Sequence, residues 1–256
     1  MSPPALLRGV LSVLLGVVLA AGRGRRLAPL THRVPKALLE VARGLPLLEL
    51  SMAVLRASGL EELVVVVGYM GDKIERALAG RPDVVVVKNP EYWRENGISL
   101  LKAEEAVGSE EFILVMADHV FEPEIVRRAL ATGPLCLCVD REPRYLADPE
   151  EATKVRLGPG GTISALGKGL RTWDAYDTGV FACNRLMFWA AGELAERSLR
   201  VSVSDCVNFL ISHGIPFRAA EATGLAWLDV DTHDALARAR GELLKRILGG
   251  LGAYPP

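Results

Sequence analysis

Hydrophobic and polar positions along the chain follow two alternating patterns. Short runs of Val, Ile and Leu, such as 63–67, are typical of strands buried on both faces of a sheet. Segments with apolar residues three or four positions apart, such as 47–55, are typical of amphipathic helices. Strands are predicted at 13–20, 62–69, 83–90, 112–119 and 134–140, and helices at 46–60, 71–80, 99–108 and 122–133.

The regular alternation stops at 140–171, where a turn-rich stretch precedes a β-hairpin predicted over 154–166. Beyond it the pattern predicts strands at 179–184 and 227–230 and helices at 185–196, 204–213 and 232–248. Strands that alternate with helices indicate βαβ units with right-handed crossovers. The sequence therefore predicts an α/β fold with a mostly parallel central sheet flanked by helices. We expect one domain over 1–256, with 140–171 as a lid-like insertion.

The N-terminal stretch 5–22 allows two interpretations. One Arg, an apolar run and small residues have the layout of a secretory signal peptide, although the run is too short for a comfortable membrane span. Cleavage after Ala21 would separate the apolar run from the glycine- and arginine-rich loop behind it. We therefore interpret 13–20 as the first buried strand, and 1–12 as a short helical extension or an over-long gene start.

Composition excludes some classes of protein. The net charge is −1 and the pI is about 6.5, so no global charge draws the chain to nucleic acid or to an anionic membrane. Four cysteines without a CxxC pair indicate buried thiols in a reducing compartment, which favours the cytoplasm. The chain has no Gln and few Asn, which suggests a thermophilic source.

The ends of the predicted strands indicate where the chemistry lies. In an open parallel sheet, ligands bind beyond the carboxyl ends of the strands. Segments 20–36, 68–73, 117–122 and 229–232 all follow predicted strands, so we expect them to share one cleft. In the first of these, Gly22 and Gly24 permit positive φ and a close backbone approach to phosphate, while Arg26 and Lys36 add positive charge. An ordinary basic surface loop is the alternative, because the spacing matches neither a P-loop nor a complete G-x-G-x-x-G.

The stretch "LAAGRGRRLAPLTHRVPKALL" resembles the signature of sugar-1-phosphate nucleotidyltransferases, LAAG-x-G-x-R-L-x-P-x-T followed by P-K-x-L. Segments "ADHVFEP", "ATKVRL", "ALGKGL", "AYDTGVF" and "WLDVDTHDAL" are similar to CTP:inositol-1-phosphate cytidylyltransferases. The resemblance implies a Rossmann-like nucleotide-diphospho-sugar transferase fold, CTP and inositol 1-phosphate as substrates, and Mg²⁺ as the cofactor. It also implies a product, CDP-inositol, that serves the synthesis of di-myo-inositol phosphate solutes and passes to a separate membrane transferase. A homodimer remains open.

The resemblance also implies roles for individual residues. Arg26 and Lys36 would act in catalysis on the triphosphate, and Asp118 and Asp231 would hold the metal ion. The acceptor would contact Lys154, Lys168 and Asp177. The nucleotide would contact Leu19, Ala20, Ala21, Gly22, Gly24, Gly68, Asn96 and Asp118.

Each of these side chains has a plainer interpretation. Asp118 and Asp231 both precede helical patterns, so helix capping is the alternative for each, and it is the stronger alternative for Asp231. Asp229 shares a strand face with Asp231 and is the alternative ligand. Lys154 and Lys168 are equally consistent with solvated surface lysines, since Lys is mostly exposed. Asn96 suits the N-terminus of a helix, and we interpret His119 as structural.

Two alternative functions remain at this point. The same core would support nucleotidyl transfer to phosphocholine or to a hexose 1-phosphate. A regulatory subunit of the same fold would bind without catalysis, but such a chain is expected to lack some of the charged residues that phosphoryl-type chemistry needs. Arg26, Lys36, Asp118 and Asp231 are all present, which favours the enzyme.

Overall fold

The structure, a computed structural model, describes residues 15–108 and 111–251. Its strands are β1 (Leu15–Ala20), β2 (Glu40–Ala42), β3 (Leu45–Pro46), β4 (Glu62–Val67), β5 (Val84–Lys88), β6 (Phe112–Met116), β7 (His119–Phe121), β8 (Cys136–Asp140), β9 (Lys154–Leu157), β10 (Ile163–Gly167), β11 (Ala175–Cys183), β12 (Arg218–Glu221) and β13 (Trp227–Asp229). Its α-helices are α1 (Leu47–Ala57), α2 (Gly71–Leu78), α3 (Asn96–Lys102), α4 (Glu104–Val107), α5 (Pro123–Thr132), α6 (Leu186–Arg197), α7 (Val203–Ser212), α8 (His233–Arg238) and α9 (Leu244–Gly250).

The main sheet has the strand order β10-β9-β11-β6-β1-β4-β5, with β8 paired to β11 and β12 paired to β8. β1 is parallel to both β4 and β6, and β4 is parallel to β5. β11 runs antiparallel to β6, β8 and β9, and β10 runs antiparallel to β9. All other strands of this sheet share one direction, which confirms the mostly parallel sheet.

Both faces of the sheet are covered, which explains the continuous apolar runs. Successive residues of β1 pack into different clusters, because their side chains point to opposite faces. Val18 joins the cluster that contains Met52 of α1 and Ile125 of α5. Val17 joins the cluster that contains Phe188 of α6 and Val207 of α7.

Most of the predicted elements are confirmed, with differences at their ends. The predicted helix over 99–108 is two helices, α3 and α4, and the last helix is interrupted by a π-helical segment, Ala239–Leu243. Positions 1–14, which include the start of the predicted first strand, lie outside the described residues. The predicted hairpin is β9 and β10, and it continues the main sheet through β11. The patterns did not indicate β2, β3, β7 or β12, which are short.

Candidate active site

A cavity of about 510 Å³ opens where the central strands end. Leu19 and Ala21 from the end of β1 line one part of it, and Asp118 lies just beyond β6. Asp177 on β11 and Asp229 on β13 line the opposite part. Segments separated by up to 210 positions in the chain thus meet at the carboxyl edge of the sheet, as the sheet rule predicts.

The ammonium group of Lys36 joins two of the predicted aspartates. Lys36 Nζ lies 2.6 Å from Asp118 Oδ2 and also contacts Asp231 Oδ1. The lysine side chain is only 7% exposed. Burial lowers its pKa, but the two carboxylates more than offset this effect, and the pKa of Lys36 is raised. Lys36 is therefore a buried ammonium group whose charge the two carboxylates stabilise.

Asp118 has a cationic partner on each carboxylate oxygen. Its Oδ1 lies 2.8 Å from His119 Nδ1, and its Oδ2 accepts from Lys36. Burial raises the pKa of Asp118, but Lys36 and His119 outweigh it and hold the pKa well below its usual range. Burial lowers the pKa of His119, whereas the bond to Asp118 raises it to about 9. Asp118 is thus a carboxylate and His119 an imidazolium at neutral pH.

The ring of His119 packs directly over Gly179. A Cβ added to Gly179 would lie 2.4 Å from His119 Cδ2, and its φ of +78° also favours glycine. Packing against His119 therefore requires the glycine of the "DTG" segment, at position 179. Although the sequence suggested a merely structural His119, the ring lines the cavity and contacts the predicted metal ligand.

Arg26 binds the second predicted metal ligand. Its Nη2 donates to Asp231 Oδ2, and its Nη1 lies 4.0 Å from Glu151 Oε2. Glu151 also lies 3.9 Å from the ammonium nitrogen of Lys168. Glu151, which we did not predict, thus links the first loop to the hairpin side of the cavity. Its only sequence signal was its position in the turn-rich stretch.

The two loop glycines have different roles. Gly24 has φ +60°, and an added Cβ would lie 3.0 Å from both Lys36 Cβ and Thr31 Cγ2. Its carbonyl accepts from the Thr31 hydroxyl at 3.0 Å. Gly24 is therefore needed to let the loop fold back on Lys36. Both glycines line the cavity, and Gly22, which lacks positive φ and has no atom within 4 Å of an added Cβ, leaves room for a ligand.

Of three residues predicted to contact the nucleotide, Gly68 and Ala20 pack against protein side chains, and Asn96 lines the cavity. A Cβ on Gly68 would lie 2.5 Å from Tyr92 Cβ and 2.9 Å from Ala21 Cβ, so packing requires glycine there rather than approach to a base. The side chain of Ala20 belongs to the hydrophobic core. Asn96 lines the cavity, but its Oδ1 accepts from the backbone N–H of Val203 at 2.9 Å, which joins the beginnings of α3 and α7.

The predicted acceptor residues divide into two groups. Asp177 and Lys168 line the cavity. Burial raises the pKa of Asp177 to about 6, while its Oδ1 accepts from the Gly179 N–H at 2.7 Å. Lys154 does not belong to the cavity wall: its ammonium lies 4.6 Å from the ring centre of Trp173. Lys154 is paired with Tyr176 across the sheet, so their side chains lie on the same face. The next residue, Asp177, lies on the other face and lines the cavity.

The carboxylates fit a hard divalent cation. Within residues 15–108 and 111–251 no group of three or more His, Cys, Asp and Glu side chains forms a metal site. Asp118 and Asp231 nevertheless converge on one ammonium group, so their oxygens are close enough to share a single cation. Mg²⁺ is commonly held by one or two carboxylates together with substrate phosphates and water. Burial also raises the pKa of nearby Asp229.

Comparison with known proteins shows which family model the sequence matches and which proteins it resembles. The MobA-like NTP transferase domain matches residues 16–154. A "Bifunctional IPC transferase and DIPP synthase" of Rubrobacter xylanophilus is 43% identical over 84% of this chain and 48% of its own length. The chain thus spans about half the length of the curated relatives that it matches in this group.

Two further similarities cover nearly whole proteins. A 2-aminoethylphosphonate cytidylyltransferase of Lancefieldella rimae is 32% identical over 83% of this chain and 87% of its own length. The structure of the inositol-1-phosphate CTP transferase from T. maritima aligns with a TM-score of 0.81 and 24% identity, covering 96% of this chain and 98% of that one. The latter similarity supports the fold. Among the described residues, no helix combines the length and apolarity needed to cross a membrane.

Proposed function

Because the chain belongs to the family of MobA-like NTP transferase domains, we propose that it transfers the cytidylyl group of CTP to inositol 1-phosphate. The products would be CDP-inositol and pyrophosphate. One observation carries the proposal: Lys36, Arg26, Asp118 and Asp231 form a single charged cluster beside a cavity at the strand ends. Such a cluster suits a polyphosphate with its cation.

The choice of substrates has separate support. The relative from Rubrobacter xylanophilus is named for an IPC transferase activity, and the structural neighbour from T. maritima for inositol-1-phosphate CTP transfer. Segments 152–157, 165–170 and 175–181 of this chain also resemble inositol-1-phosphate cytidylyltransferases. The acceptor end of the cavity carries the Asp177 carboxyl group, which can accept hydrogen bonds from hydroxyl groups.

The reaction needs positioning and charge neutralisation more than a strong base. A phosphate oxygen of inositol 1-phosphate attacks the α-phosphorus of CTP in line with the departing pyrophosphate. One P–O bond forms, the bond between the α- and β-phosphates breaks, and its electron pair leaves with pyrophosphate. The attacking phosphate is already an anion, so no proton must be removed first.

Lys36 and Arg26 supply the positive charge for this step. In the structure both side chains donate to Asp231, and both residues belong to the loop between β1 and β2. We propose that they turn their donors to the phosphates of CTP and stabilise the charge that develops on the leaving group. Preorganised donors of this kind act where charge appears in the transition state.

Asp118 and Asp231 would hold Mg²⁺, which the sequence resemblance implies. When bound, the cation would neutralise phosphate charge. His119 donates to Asp118 Oδ1 and thereby fixes the orientation of that carboxylate. A histidine that orients a carboxylate from behind is a common arrangement around ligand sites.

The test is pyrophosphate release in a matrix of nucleoside triphosphates and acceptors. ATP, GTP, CTP, UTP and dTTP are each combined with inositol 1-phosphate, phosphocholine, glucose 1-phosphate and 2-aminoethylphosphonate. CTP with inositol 1-phosphate is expected to give the highest kcat/KM. Preference for UTP or dTTP with glucose 1-phosphate would contradict the choice of substrates and leave the family unaffected.

A second candidate acceptor is 2-aminoethylphosphonate. The observation in its favour is the match to the Lancefieldella rimae enzyme over 87% of that protein. The carboxyl groups of Asp177 and Asp229 at this end of the cavity would also suit a cationic amine. The same matrix separates the two acceptors directly.

The remaining parts of the proposed function, which concern the fate of the product, the location and the oligomeric state, rest on the sequence alone. We propose that CDP-inositol serves the synthesis of di-myo-inositol phosphate and passes to a separate membrane transferase. A cytoplasmic location, a thermophilic source and a homodimer also stay predictions. Gel filtration combined with light scattering would give the oligomeric state, and thermal unfolding would give the working temperature range.

A further inference from the structure

One buried hydroxyl in the cavity wall has an unused proton. Ser99 on α3 is 2% exposed and lines the cavity together with Leu19, Tyr92 and Met116. Its Oγ accepts a hydrogen bond from Asn89 Nδ2 at 2.9 Å. Among the described residues, this bond from Asn89 is the only side-chain hydrogen bond of Ser99.

Asn89 cannot turn round to take that proton. Its backbone N–H donates to the carbonyl of Val67 at 2.7 Å, and its Oδ1 accepts from the backbone N–H of Glu91 at 2.9 Å. The amide oxygen is therefore committed, and the amide nitrogen faces Ser99. A hydroxyl that accepts one hydrogen bond in this way must send its proton in another direction. Because Ser99 lines the cavity, a ligand there can accept this proton.

Asn96, one turn earlier on the same helix, has a similar surplus. Its Oδ1 is committed to the Val203 N–H, and one donor position of Nδ2 faces the sulfur of Met116 at 3.6 Å, a weak contact. An amide NH₂ carries two donors. The wall between α3 and β6 therefore presents hydrogen-bond donors from Ser99 and Asn96 beside an apolar surface formed by Leu19 and Met116.

We propose that Ser99 and Asn96 read the O2/N3 edge of the cytosine ring, and that Asn89 sets the direction of the Ser99 proton. Cytosine offers two adjacent acceptors on this edge. Uracil offers a carbonyl beside an N3–H donor, so two neighbouring protein donors favour cytosine. The inference rests on the proposed use of CTP and adds the residues that select the base.

The chosen variants change donors with little change in volume. Ser99→Ala removes the hydroxyl donor. Asn96→Asp keeps the oxygen that accepts from Val203 but replaces the donating NH₂ with an acceptor, which suits the N3–H of uracil. Ser58→Ala is the control, because Ser58 directly follows α1, its hydroxyl donates to the carbonyl of Val54 at 2.9 Å, and it lies outside the cavity wall.

The experiment measures the ratio of kcat/KM for CTP to kcat/KM for UTP, with inositol 1-phosphate as acceptor. We expect Ser99→Ala to lower this ratio about tenfold, the typical effect of one neutral hydrogen bond. Asn96→Asp should lower it further and move the preference towards UTP. Ser58→Ala should leave it unchanged, and the KM for inositol 1-phosphate should not move in any variant.

A second measurement is independent of the acceptor. Calorimetric titration with CTP and with UTP, without any acceptor, should give the same change in base preference, and circular dichroism checks folding. A ratio within twofold of the parent value in both folded variants would overturn the inference, even if CTP remains the best substrate. Failure of inositol 1-phosphate as acceptor, with a base preference that still depends on Ser99, would overturn only the proposed acceptor.

Discussion

Lys36 and Asp118 form an ion pair between a buried ammonium and a partly exposed carboxylate, in which Nζ and Oδ2 are 2.6 Å apart. Lys36 lies in the loop after β1, and Asp118 follows β6, a neighbour of β1 in the sheet. The pair therefore joins the loop that would hold the triphosphate to the strand end that would hold the metal ion. Breaking one member of a buried pair is more costly than replacing both.

Lys36→Met tests this pair through stability. The substitution leaves Asp118 and Asp231 close together without the cation between them, so we expect the free energy of unfolding to fall by about 3 kcal/mol. Urea unfolding at neutral pH measures the change. Lys245→Met, at an exposed lysine, is the control and should change stability little. A Lys36→Met protein as stable as the parent would show that the pair adds nothing to the fold.

Asp118→Ala should abolish turnover with magnesium, because a hard cation held by two protein carboxylates would lose one of them. Pyrophosphate release at saturating CTP measures the loss. Asp83→Ala, which removes a half-exposed aspartate paired with Arg56, should retain the parent rate. Near-normal turnover in Asp118→Ala would reduce Asp118 to a structural residue.

Arg26→Ala should lower kcat by ~10²–10³ and raise the KM for CTP by less, since a preorganised donor acts mainly on the charge of the transition state. Steady-state kinetics with varied CTP separates the two constants. Arg33→Ala is the control, because Arg33 is an exposed arginine of the same loop. Equal effects on kcat and KM from both variants would argue against a specific role for Arg26.

Gly24→Val should block CTP binding by displacing Lys36, which an added Cβ would approach to 3.0 Å. Gly44→Val is the matched control: Gly44 also has positive φ, but no atom lies within 4 Å of its added Cβ. The control therefore carries similar backbone strain without the contact. CTP titration by calorimetry, with circular dichroism for folding, compares the two. If folded Gly24→Val protein binds CTP as the parent does, the loop is not the phosphate site.

Asp177 should make stability depend on pH. Burial raises its pKa in the folded state to about 6 from the usual 3.8, so the folded protein binds the proton more tightly than the unfolded chain. This tighter proton binding stabilises the folded protein. The stabilisation is fully present below pH 3.8 and is lost as the pH rises through 6. Asp177→Asn removes the cost of burying an ionised carboxylate at high pH. Its free energy of unfolding should therefore exceed that of the parent by roughly 2–3 kcal/mol at pH 8.

Urea unfolding of the parent and Asp177→Asn at pH 8 and pH 4.5 checks the sign. The advantage of the variant should shrink at the lower pH, where the parent carboxyl is mostly protonated in the fold. A constant difference between the two proteins across this range would contradict the raised pKa.

The sequence predicted the elements that have strong local signals. The Val-rich runs became central strands, and the loop motif brought Arg26 and Lys36 to the cluster with Asp118 and Asp231. The short strand β12 was missed, because it is too short to show a period and pairs only through the tertiary fold.

The sequence could not distinguish a glycine that faces a ligand from one that faces a side chain. Gly68 packs against Tyr92, and only the three-dimensional contact reveals this. Lys154 was assigned to the acceptor, but the register of β9 against β11 turns it towards Trp173. The Ser99 proton was also invisible, because its direction depends on Asn89, ten positions away.

The hairpin of β9 and β10 has a consequence for the choice of acceptor under the proposed function. It is held to β11 by only two aligned pairs, Ala175 with Val155 and Tyr176 with Lys154. The segment before it supplies Leu146, Glu151 and Ala152 to the cavity. Part of the wall at the proposed acceptor end thus belongs to the edge of the sheet, while the loop after β1 lies in its middle. Under the proposed function, we expect changes in that edge to alter the choice of acceptor without altering the loop proposed to hold the triphosphate.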